Sequence, residues 1–380
     1  MFINEILGQE TLKKQLKSSL VSGQIPHSQC FTGEYGRGGL PFAVALALQL
    51  VWGEEAIEAN KRNGKKETFF LEHPDLHFLF PVATSPLVTS KPKCSDYIEQ
   101  WRSFICGSPF GSSNDWMLSI GSENKQGNIG VEEIERLYKS LSLKSFLGGA
   151  KVCVIWGVEK LSIESSNKLL KLIEEPPANT FFVFVAESES DLLPTIQSRC
   201  QISSLKPIDL EAIQAALIKL GCEENLAGFY ASNSEGSLGK AIESFQNIEQ
   251  LREHEELFVA CLRGAFKASG NKSVVIDLMT WANTVGALGR TVQKEFLLYS
   301  LNFIRQALLV SYQTEALVNF QSLTGFHLEK FAPFVHGGNA QKLVELLEET
   351  CYAVDRNANG KILFSDFALK MTRILNQKEA

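Results

Sequence analysis

The first half of the chain alternates short apolar runs, which are typical of strands, with longer segments whose apolar residues recur at helical spacing. The clearest strand-like runs are residues 30–32, 76–80, 151–156 and 180–186. The last two are apolar almost without interruption, as parallel strands covered on both faces of a sheet must be. Strands that alternate with helices in this way predict an α/β domain built on a parallel sheet, over residues 1–207.

The same pattern predicts two helices within this domain. Residues 42–51 are apolar nearly all round, which is typical of a helix buried on every side. Pro41 fits the first position of that helix, where a missing N–H costs nothing. A second helix begins at Ser162 and ends before Pro176-Pro177. The apolar face of this second helix consists of Leu169, Leu170 and Ile173.

Outside these elements the chain changes character twice. Residues 81–129 are rich in Ser, Pro, Gly and Asn and show few periodic segments, which indicates a long insertion. After Pro207 the strand signals fade, and the remaining chain has the pattern of helices. Breaks in that pattern fall near residues 233–239, 269–272 and 336–339. We therefore predict that the α/β domain is followed by a small helical lid over 208–250 and an all-α collar domain over 251–380.

Composition narrows the class of protein. A chain of 380 residues that is 44% hydrophobic can bury a large core and is expected to form two or three domains. The net charge of −6 argues against a stand-alone nucleic-acid-binding protein, which usually has a basic face. The N-terminus lacks the pattern of a secretory signal, and no run approaches the roughly 18 apolar residues of a membrane span. We therefore expect no membrane partner. Eight scattered cysteines without a C-x-x-C pair indicate a reduced, cytoplasmic protein.

The segment from Gly33 to Leu40 has the outline of a phosphate-binding loop. That loop reads G-x-x-x-x-G-K-[ST]: its amides cradle phosphates, its lysine reaches the β- and γ-phosphates, and its hydroxyl holds Mg²⁺. Gly33 and Gly38 stand at the framing positions, with Gly36 between them, whereas Gly39 replaces the lysine and Leu40 replaces the hydroxyl residue. Because a strand precedes the loop and a helix follows it, we predict a phosphate-loop position without the residues for ATP chemistry. The alternative is a chance glycine-rich turn.

Several segments together carry a resemblance to one family. They are Ile6-Leu7-Gly8-Gln9 and residues 25–27, 73–77, 151–161, 167–177 and 192–200. The series resembles bacterial clamp-loader subunits of the AAA+ superfamily, and most of all the δ′ subunits of DNA polymerase III, whose nucleotide site is non-functional. The most specific part is 167–177 together with Ser198-Arg199-Cys200. In the insertion, residues 114–116 and 123–127 resemble δ′ subunits of the Bacteroidetes-like lineage.

The resemblance implies that further ATPase elements are degenerate. In active clamp-loader ATPases the strand corresponding to 151–155 ends with Asp-Glu, but this chain has Trp156 and Gly157, and Glu159 lies two positions further on. The second sensor motif of those relatives ends in an arginine, for which this chain has Gly239, with Lys240 next to it. The four-cysteine zinc module of many relatives has no counterpart in residues 52–93. We therefore expect no bound cofactor and no metal.

One element of the family's chemistry remains, the arginine of Ser198-Arg199-Cys200. In the family this arginine projects across a subunit boundary onto the ATP of the neighbouring subunit. A planar, permanently charged guanidinium suits that role. The resemblance places Ser198, Arg199 and Cys200 at the subunit interface. From the residue types we expect Ser198 to cap the local backbone and Cys200 to pack in the core. The alternative is that Arg199 merely pairs with a surface carboxylate.

The resemblance implies an interaction subunit of a hetero-oligomeric clamp loader. Such a subunit sits beside τ/γ-type and δ subunits in a ring that uses ATP to place the sliding clamp on primer-template DNA. We expect no ATPase activity from this chain alone, as a component of the DNA polymerase III holoenzyme. The alternative from another class is a self-sufficient ATPase that uses Arg37 or Lys240 as a non-standard cation.

A weaker candidate site lies near the C-terminus. Residues 355–366 nearly fit the calcium loop of an EF-hand, with oxygen-bearing residues at positions 1, 3 and 5 and a glycine at position 6. Position 12, however, is Asp366 rather than the usual glutamate, and the motif occurs once. A calcium-sensing helical protein therefore remains a third, weaker alternative.

Overall fold

A sheet of five parallel strands lies in the first half of the computed structural model, which describes residues 2–122, 125–146, 148–268, 273–314, 318 and 320–377. The strands are β1 (Ser28–Thr32), β2 (Leu76–Leu79), β3 (Lys151–Trp156), β4 (Thr180–Ala186) and β5 (Gln201–Ser204). Their order across the sheet is β2-β3-β4-β1-β5, and every neighbouring pair runs parallel. The predicted α/β class is therefore confirmed.

The burial of each strand follows from its place in the sheet. All residues of β3 and β1 are buried, and so are all residues of β4 except Phe181. Of these central strands, β3 and β4 are the ones that the nearly unbroken apolar runs predict. Strand β5 lies at an edge, none of its four residues is buried, and its polar sequence gives no strand signal.

Helices account for most of the remaining structure. In chain order they are α1 (Glu10–Ser22), α2 (Gly39–Trp52), α3 (Glu54–Arg62), α4 (Glu67–Phe70), α5 (Ile98–Gly107), α6 (Ser113–Ser119), α7 (Val131–Ser142), α8 (Ile163–Glu174), α9 (Pro194–Gln197), α10 (Leu210–Lys219), α11 (Glu224–Asn233), α12 (Leu238–Gln246), α13 (Ile248–Ala268), α14 (Val274–Gly286), α15 (Arg290–Ser311), α16 (Leu328–Phe331), α17 (Ala340–Asp355) and α18 (Gly360–Leu375). In the described part of the chain no single helix is long and apolar enough to cross a membrane. The bent pair α2 and α3 reaches that length and composition together.

Helix α2 runs through the core behind the glycine loop. Every residue from Leu40 to Leu48 is buried, which confirms a helix covered on all sides. The helix begins at Gly39, so Pro41 occupies its third position and not the first, as the sequence had indicated. The fold accepts this shift because the first turn of a helix has no internal acceptor for its N–H groups. Helix α8 confirms its prediction, since Ser162 accepts a hydrogen bond from Ser165 N at its start.

The segment 81–129 is a folded part of the first half. Its helices α5 and α6 carry Trp101 and Trp116, which are completely buried and lie 5.0 Å apart between ring centroids. The indole of Trp116 donates a hydrogen bond to Pro81 O at 2.7 Å. The insertion thus builds an aromatic cluster onto the sheet domain, although periodicity alone gives little sign of its helices. Residues 123 and 124, part of the lineage resemblance, lie outside the described residues.

Two compact units emerge, Met1–Ile242 and Glu243–Ala380. The break predicted near 233–239 is confirmed between α11 and α12, and that near 336–339 immediately precedes α17. The break predicted at 269–272 lies outside the described residues. The separation of a lid over 208–250 from its neighbouring domains stays a prediction.

Two adjacent buried residues of α13 characterise the second unit. Glu255 is fully buried and accepts hydrogen bonds from Leu323 N at 2.8 Å and from Thr324 Oγ1 at 2.6 Å. His254 packs against the rings of Phe296 and Tyr299, and within the described structure neither of its ring nitrogens has a hydrogen-bond partner. Burial lowers the pKa of His254 to about 4, so this imidazole is neutral at physiological pH.

Candidate functional site

The glycine loop lies between the end of β1 and the start of α2. Gly33 N donates a hydrogen bond to Ala186 O on the neighbouring strand β4, which ties the loop to the sheet. Gly36 and Gly38 have φ angles of 78° and 106°, in the left-handed region that glycine adopts without strain. The strand, loop and helix therefore stand in the order of a phosphate-binding loop, and the predicted context is confirmed.

The two replaced positions of this loop face apolar surroundings. A Cβ atom at Gly39 would lie 2.8 Å from Val185 Cγ1, so a lysine there would need Val185 to move. Leu40, at the position of the metal-binding hydroxyl, is only 3% exposed and belongs to the core of the sheet domain. The two positions that carry the lysine and the hydroxyl in a phosphate-binding loop therefore offer phosphate only backbone amides.

Two cations stand near the loop, but both are paired with the same loop residue. Arg37 Nη2 lies 2.8 Å from Glu34 Oε2, and Lys240 Nζ forms an ion pair with the other oxygen of Glu34. Lys240 also pairs with Glu235 at 2.9 Å. Although burial disfavours the charged form of Lys240, its hydrogen bonds to Glu34 and Glu235 raise its pKa above the ordinary value. A phosphate at this loop would have to compete with these carboxylates for either cation.

The segment from Ser237 to Gly239, where the resemblance places the second sensor, closes tightly on the loop. Leu238 N donates to Gly36 O at 3.0 Å, and Ser237 Oγ donates to Tyr35 O at 2.8 Å. A Cβ at Gly239 would lie 2.9 Å from Gly36 Cα and only 2.3 Å from the backbone oxygen of Phe110. No side chain therefore fits where active relatives are expected to carry an arginine.

The end of β3 carries an aromatic residue and a glycine. Trp156 is 8% exposed, and its ring centroid lies 5.1 Å from that of Trp101. Gly157 follows in the left-handed conformation with φ of 75°. The nearby acid, Glu159, has a buried Oε2 without a hydrogen-bond partner in the described structure, and burial raises its pKa. Such a carboxyl favours the neutral form, whereas Mg²⁺ is bound by the charged form.

A cleft that is open to solvent lies in front of the loop. Its walls are the loop itself, the start of α2, the end of β3 and the turn around Phe110. The charged residues that line it in the described structure are Glu34, Glu159 and Glu187. Among the described residues, no lysine or arginine lines the cleft to attract a triphosphate.

Arg199 lies on the surface just after α9. Its Nη1 donates to Thr195 O at 3.0 Å and to Ser198 Oγ at 3.1 Å, which fixes the direction of the side chain. Its Nη2 pairs with Glu174 Oε1 at the end of α8, at 2.6 Å. The side chain of Arg199 remains 38% exposed and that of Glu174 48% exposed. An approaching molecule can therefore reach the guanidinium directly.

The neighbours of Arg199 behave as the sequence predicts. Ser198 ends α9, and its Oγ donates to Thr195 O at 3.2 Å, which is the expected local backbone contact. Cys200 is half-buried and packs against the core, and burial raises its pKa to about 12. A thiol with such a high pKa is not a nucleophile at neutral pH.

Sequence reasoning missed two contributors to this site. Gln9 has a left-handed backbone, and its amide exchanges hydrogen bonds with the backbone of Lys206, including Lys206 N to Oε1 at 3.1 Å. It thereby fixes the N-terminal segment beside the chain that leaves β5. The other is Phe110, whose position at the cleft depends on the packing of the insertion, and no local pattern signals such packing.

The calcium alternative is not supported by the geometry of residues 355–366. Only residues 356–359 separate α17 from α18, so the second half of the proposed loop is helical. Asp355 pairs with Lys294 at 3.0 Å, and Asn359 accepts a hydrogen bond from Ile362 N as the cap of α18. Across the described ranges, no group of three or more His, Cys, Asp or Glu residues is arranged to hold a metal ion.

The family model and the similar proteins that match this chain point to the same family. Residues 8–209, just over half of the chain, match the family model described as DNA polymerase III, delta subunit. The subunit delta' of DNA polymerase III from Bacillus subtilis (strain 168) is 25% identical over 250 residues, which are 65% of this chain and 61% of that protein. The subunit delta' from Haemophilus influenzae (strain ATCC 51907 / DSM 11121 / KW20 / Rd) is 38% identical over 78 residues, 20% of this chain and 24% of that protein.

Both matches cover less than two thirds of the relative's own length. Among solved structures, a DNA polymerase III gamma subunit-related protein from Thermotoga maritima is similar over 95% of this chain and 100% of that chain. Its sequence identity is 15% and the TM-score is 0.41, a similarity too low to carry an argument.

Proposed function

Because this chain belongs to the DNA polymerase III delta subunit family, as a δ′-type AAA+ relative from clamp loaders, we propose that it serves in the clamp loader without hydrolysing ATP itself. The observation that carries this proposal is the character of the glycine-loop cleft. The charged residues that line it are glutamates, and the lysine and hydroxyl positions hold Gly39 and Leu40. A loop of this shape and charge is suited to structure and not to phosphate binding.

The partners in this proposal are the τ/γ-type and δ subunits, in a ring that loads the sliding clamp onto primer-template DNA. ATP is then bound and hydrolysed by neighbouring subunits. This chain contributes a rigid, nucleotide-free member of the ring. The rival, a self-sufficient ATPase, requires Arg37 or Lys240 as its phosphate cation. Both are already paired with Glu34, which weighs against it.

Within the ring, Arg199 is proposed to act as an arginine finger on the ATP of the adjacent subunit. Its exposure and its fixed direction support this role. Fingers supplied by a neighbouring chain accelerate related GTPase reactions by about 10³–10⁵-fold, because they stabilise charge on the transferring phosphoryl group. In the isolated chain the ion pair with Glu174 orients the guanidinium. When the ring assembles, the guanidinium has to leave Glu174 and contact phosphate oxygens of the neighbouring subunit's ATP.

The decisive experiment reconstitutes the ring from this chain and its own τ/γ-type and δ subunits, with sliding clamp and primed DNA. Arg199→Ala should abolish ATP turnover at one site and slow clamp loading, while assembly of the ring is retained. Unchanged turnover would remove the finger from the proposal. In parallel, calorimetric titration of the isolated chain with Mg·ATP should give no binding in the micromolar range. Tight binding with steady hydrolysis would refute the non-catalytic assignment.

A further inference from the structure

The turn that joins α5 to α6, residues 108–112, lies over the cleft of the glycine loop. Pro109, Phe110 and Gly111 line the cleft together with Gly36 and Gly38. The turn is internally closed, since Gly111 N donates to Ser108 O at 2.9 Å. It belongs to the insertion, which none of the elements of the proposed function requires.

Three backbone segments converge at the mouth of the cleft. A Cβ placed on Gly239 would lie 2.3 Å from Phe110 O and 2.9 Å from Gly36 Cα. Atoms in real structures essentially never approach a Cβ so closely, so the turn, the glycine loop and the start of α12 already touch. Phe110 and its neighbours therefore form one wall of the cleft and stand in direct contact with the segments that hold the glycine loop.

Aromatic packing beneath the turn holds it in this position. A Cβ on Gly111 would meet Phe104 Cζ at 2.9 Å, so the turn rests directly on the Phe104 ring. The Phe104 ring in turn lies 6.0 Å from that of Trp156, and Trp101 lies 5.1 Å from it. Trp156 stands at the end of β3, the place where a phosphate-loop ATPase carries the aspartate that holds Mg²⁺.

From these contacts we infer that residues 108–112 form a built-in cover over the vestigial nucleotide cleft, and that Trp156 is the positioning residue that holds the cover in place. The chain excludes nucleotide by occupying the cleft as well as by lacking the lysine. This inference rests on the proposed nucleotide-free role of the site. Its test concerns the isolated chain, whereas the finger proposal is tested by turnover of the assembled ring, so the failure of one is distinguishable from the failure of the other.

The test restores the loop chemistry and then releases the cover. The restored variant carries Gly39→Lys and Leu40→Thr, together with Val185→Ala to make room for the new side chain at position 39. Three further variants add Trp156→Ala, Trp156→Phe or Trp52→Ala to this background. Trp52 is the matched control, because its indole donates to Phe70 O at 3.0 Å and it does not line the cleft. Binding is measured as fluorescence of mant-ATP with Mg²⁺.

The restored variant alone should bind no more tightly than the wild-type chain, since its cleft remains covered. Adding Trp156→Ala should tighten binding at least tenfold, whereas Trp156→Phe, which keeps an aromatic ring under the turn, and Trp52→Ala should not. Equal affinity of the four restored variants, including no binding by any of them, would overturn the inference.

A second measurement needs no variant and guards against loss of fold. In the wild-type chain, amide hydrogen exchange of Ser108 and residues 110–112 should be as slow as that of residues 33–40, because the turn and the loop are packed against the same segment. If the amide hydrogens of the turn exchanged 100-fold faster than those of the glycine loop, the turn would be an open surface segment. That result would overturn the inference.

Discussion

Arg199 and Glu174 form an ion pair at 2.6 Å between Nη2 and Oε1, and both side chains remain partly exposed. Exposed ion pairs contribute only about 0–1 kcal/mol to stability, because water and salt screen them. Such a small gain in stability is a poor explanation for the presence of an arginine in the motif Ser198-Arg199-Cys200. A role in which the guanidinium leaves Glu174 and contacts another chain accounts for it better.

Glu174→Gln separates these two roles. The substitution breaks the ion pair and leaves Arg199 in place, so stability of the chain should fall by less than about 1 kcal/mol. In the reconstituted ring, ATP turnover with Glu174→Gln should equal or exceed that with the wild-type chain. Turnover with Arg199→Ala should be lost at the affected site, by roughly 10³-fold or more. An equal loss of turnover in both variants would show that the pair itself is what the ring requires.

Gly239→Ala should destabilise the first unit, because its new methyl group would overlap the backbone oxygen of Phe110. Overpacking of this kind costs about 1–3 kcal/mol. The control is Gly228→Ala in α11, where the nearest atom to a new Cβ is Gln214 Nε2 at 3.7 Å. That substitution should stabilise the chain by about 0.5–1 kcal/mol, since alanine favours a helix over glycine. Urea unfolding of both variants gives the comparison, and equal effects would contradict the close approach at Gly239.

Glu159→Gln should stabilise the chain at neutral pH. Burial raises the pKa of Glu159 above its ordinary value of 4.5, so the folded state favours the protonated form. The stability that this preference confers is complete below pH 4.5 and is lost as the pH rises through the folded pKa. Glutamine is neutral throughout, so its advantage in melting temperature should be present at pH 7 and should shrink towards pH 4.5. Glu72→Gln, at an exposed position, should show no such trend.

His254 should make the second unit sensitive to acid. Burial lowers its pKa from 6.5 to about 4, so the unfolded chain takes up a proton at a higher pH than the folded chain. Its stabilising effect is complete above pH 6.5 and is lost as the pH falls towards 4, at up to about 1.4 kcal/mol per pH unit. His254→Leu should flatten the dependence of the unfolding free energy on pH in this window. The exposed His327→Leu serves as control, and identical pH profiles for the two variants would contradict the prediction.

Local pattern was sufficient for the centre of the fold. Strands β3 and β4 and helix α2 consist almost entirely of apolar residues, so the local sequence alone predicts that they are buried. Strand β5 has four residues of mixed polarity at a sheet edge, and only its pairing with β1 defines it. For a related reason, the helices of the insertion were not predicted. Trp101 and Trp116 are buried by contact with the sheet domain and not by the periodicity of their own helices.

The candidate site also has features that the sequence predicts and features that only the structure shows. The glycines of the loop and the absence of its lysine are visible in eight consecutive residues. By contrast, the pairing of Lys240 with Glu34 joins positions about 200 residues apart, and the contact of Phe110 with Gly239 joins distant segments too. Contacts at such separation leave no spacing pattern, so only the folded chain reveals which acidic residues and which part of the insertion line the cleft.

The close approach at Gly239 couples two segments that lie far apart in the chain. Any residue with a Cβ at position 239 would drive that atom into the inserted turn, so the position tolerates a side chain only if the turn moves. Removing the turn would leave Phe104 and Trp156 with an uncovered apolar surface. A change at either place is therefore harmful unless the other has already occurred. The steric contact makes position 239 and the turn interdependent.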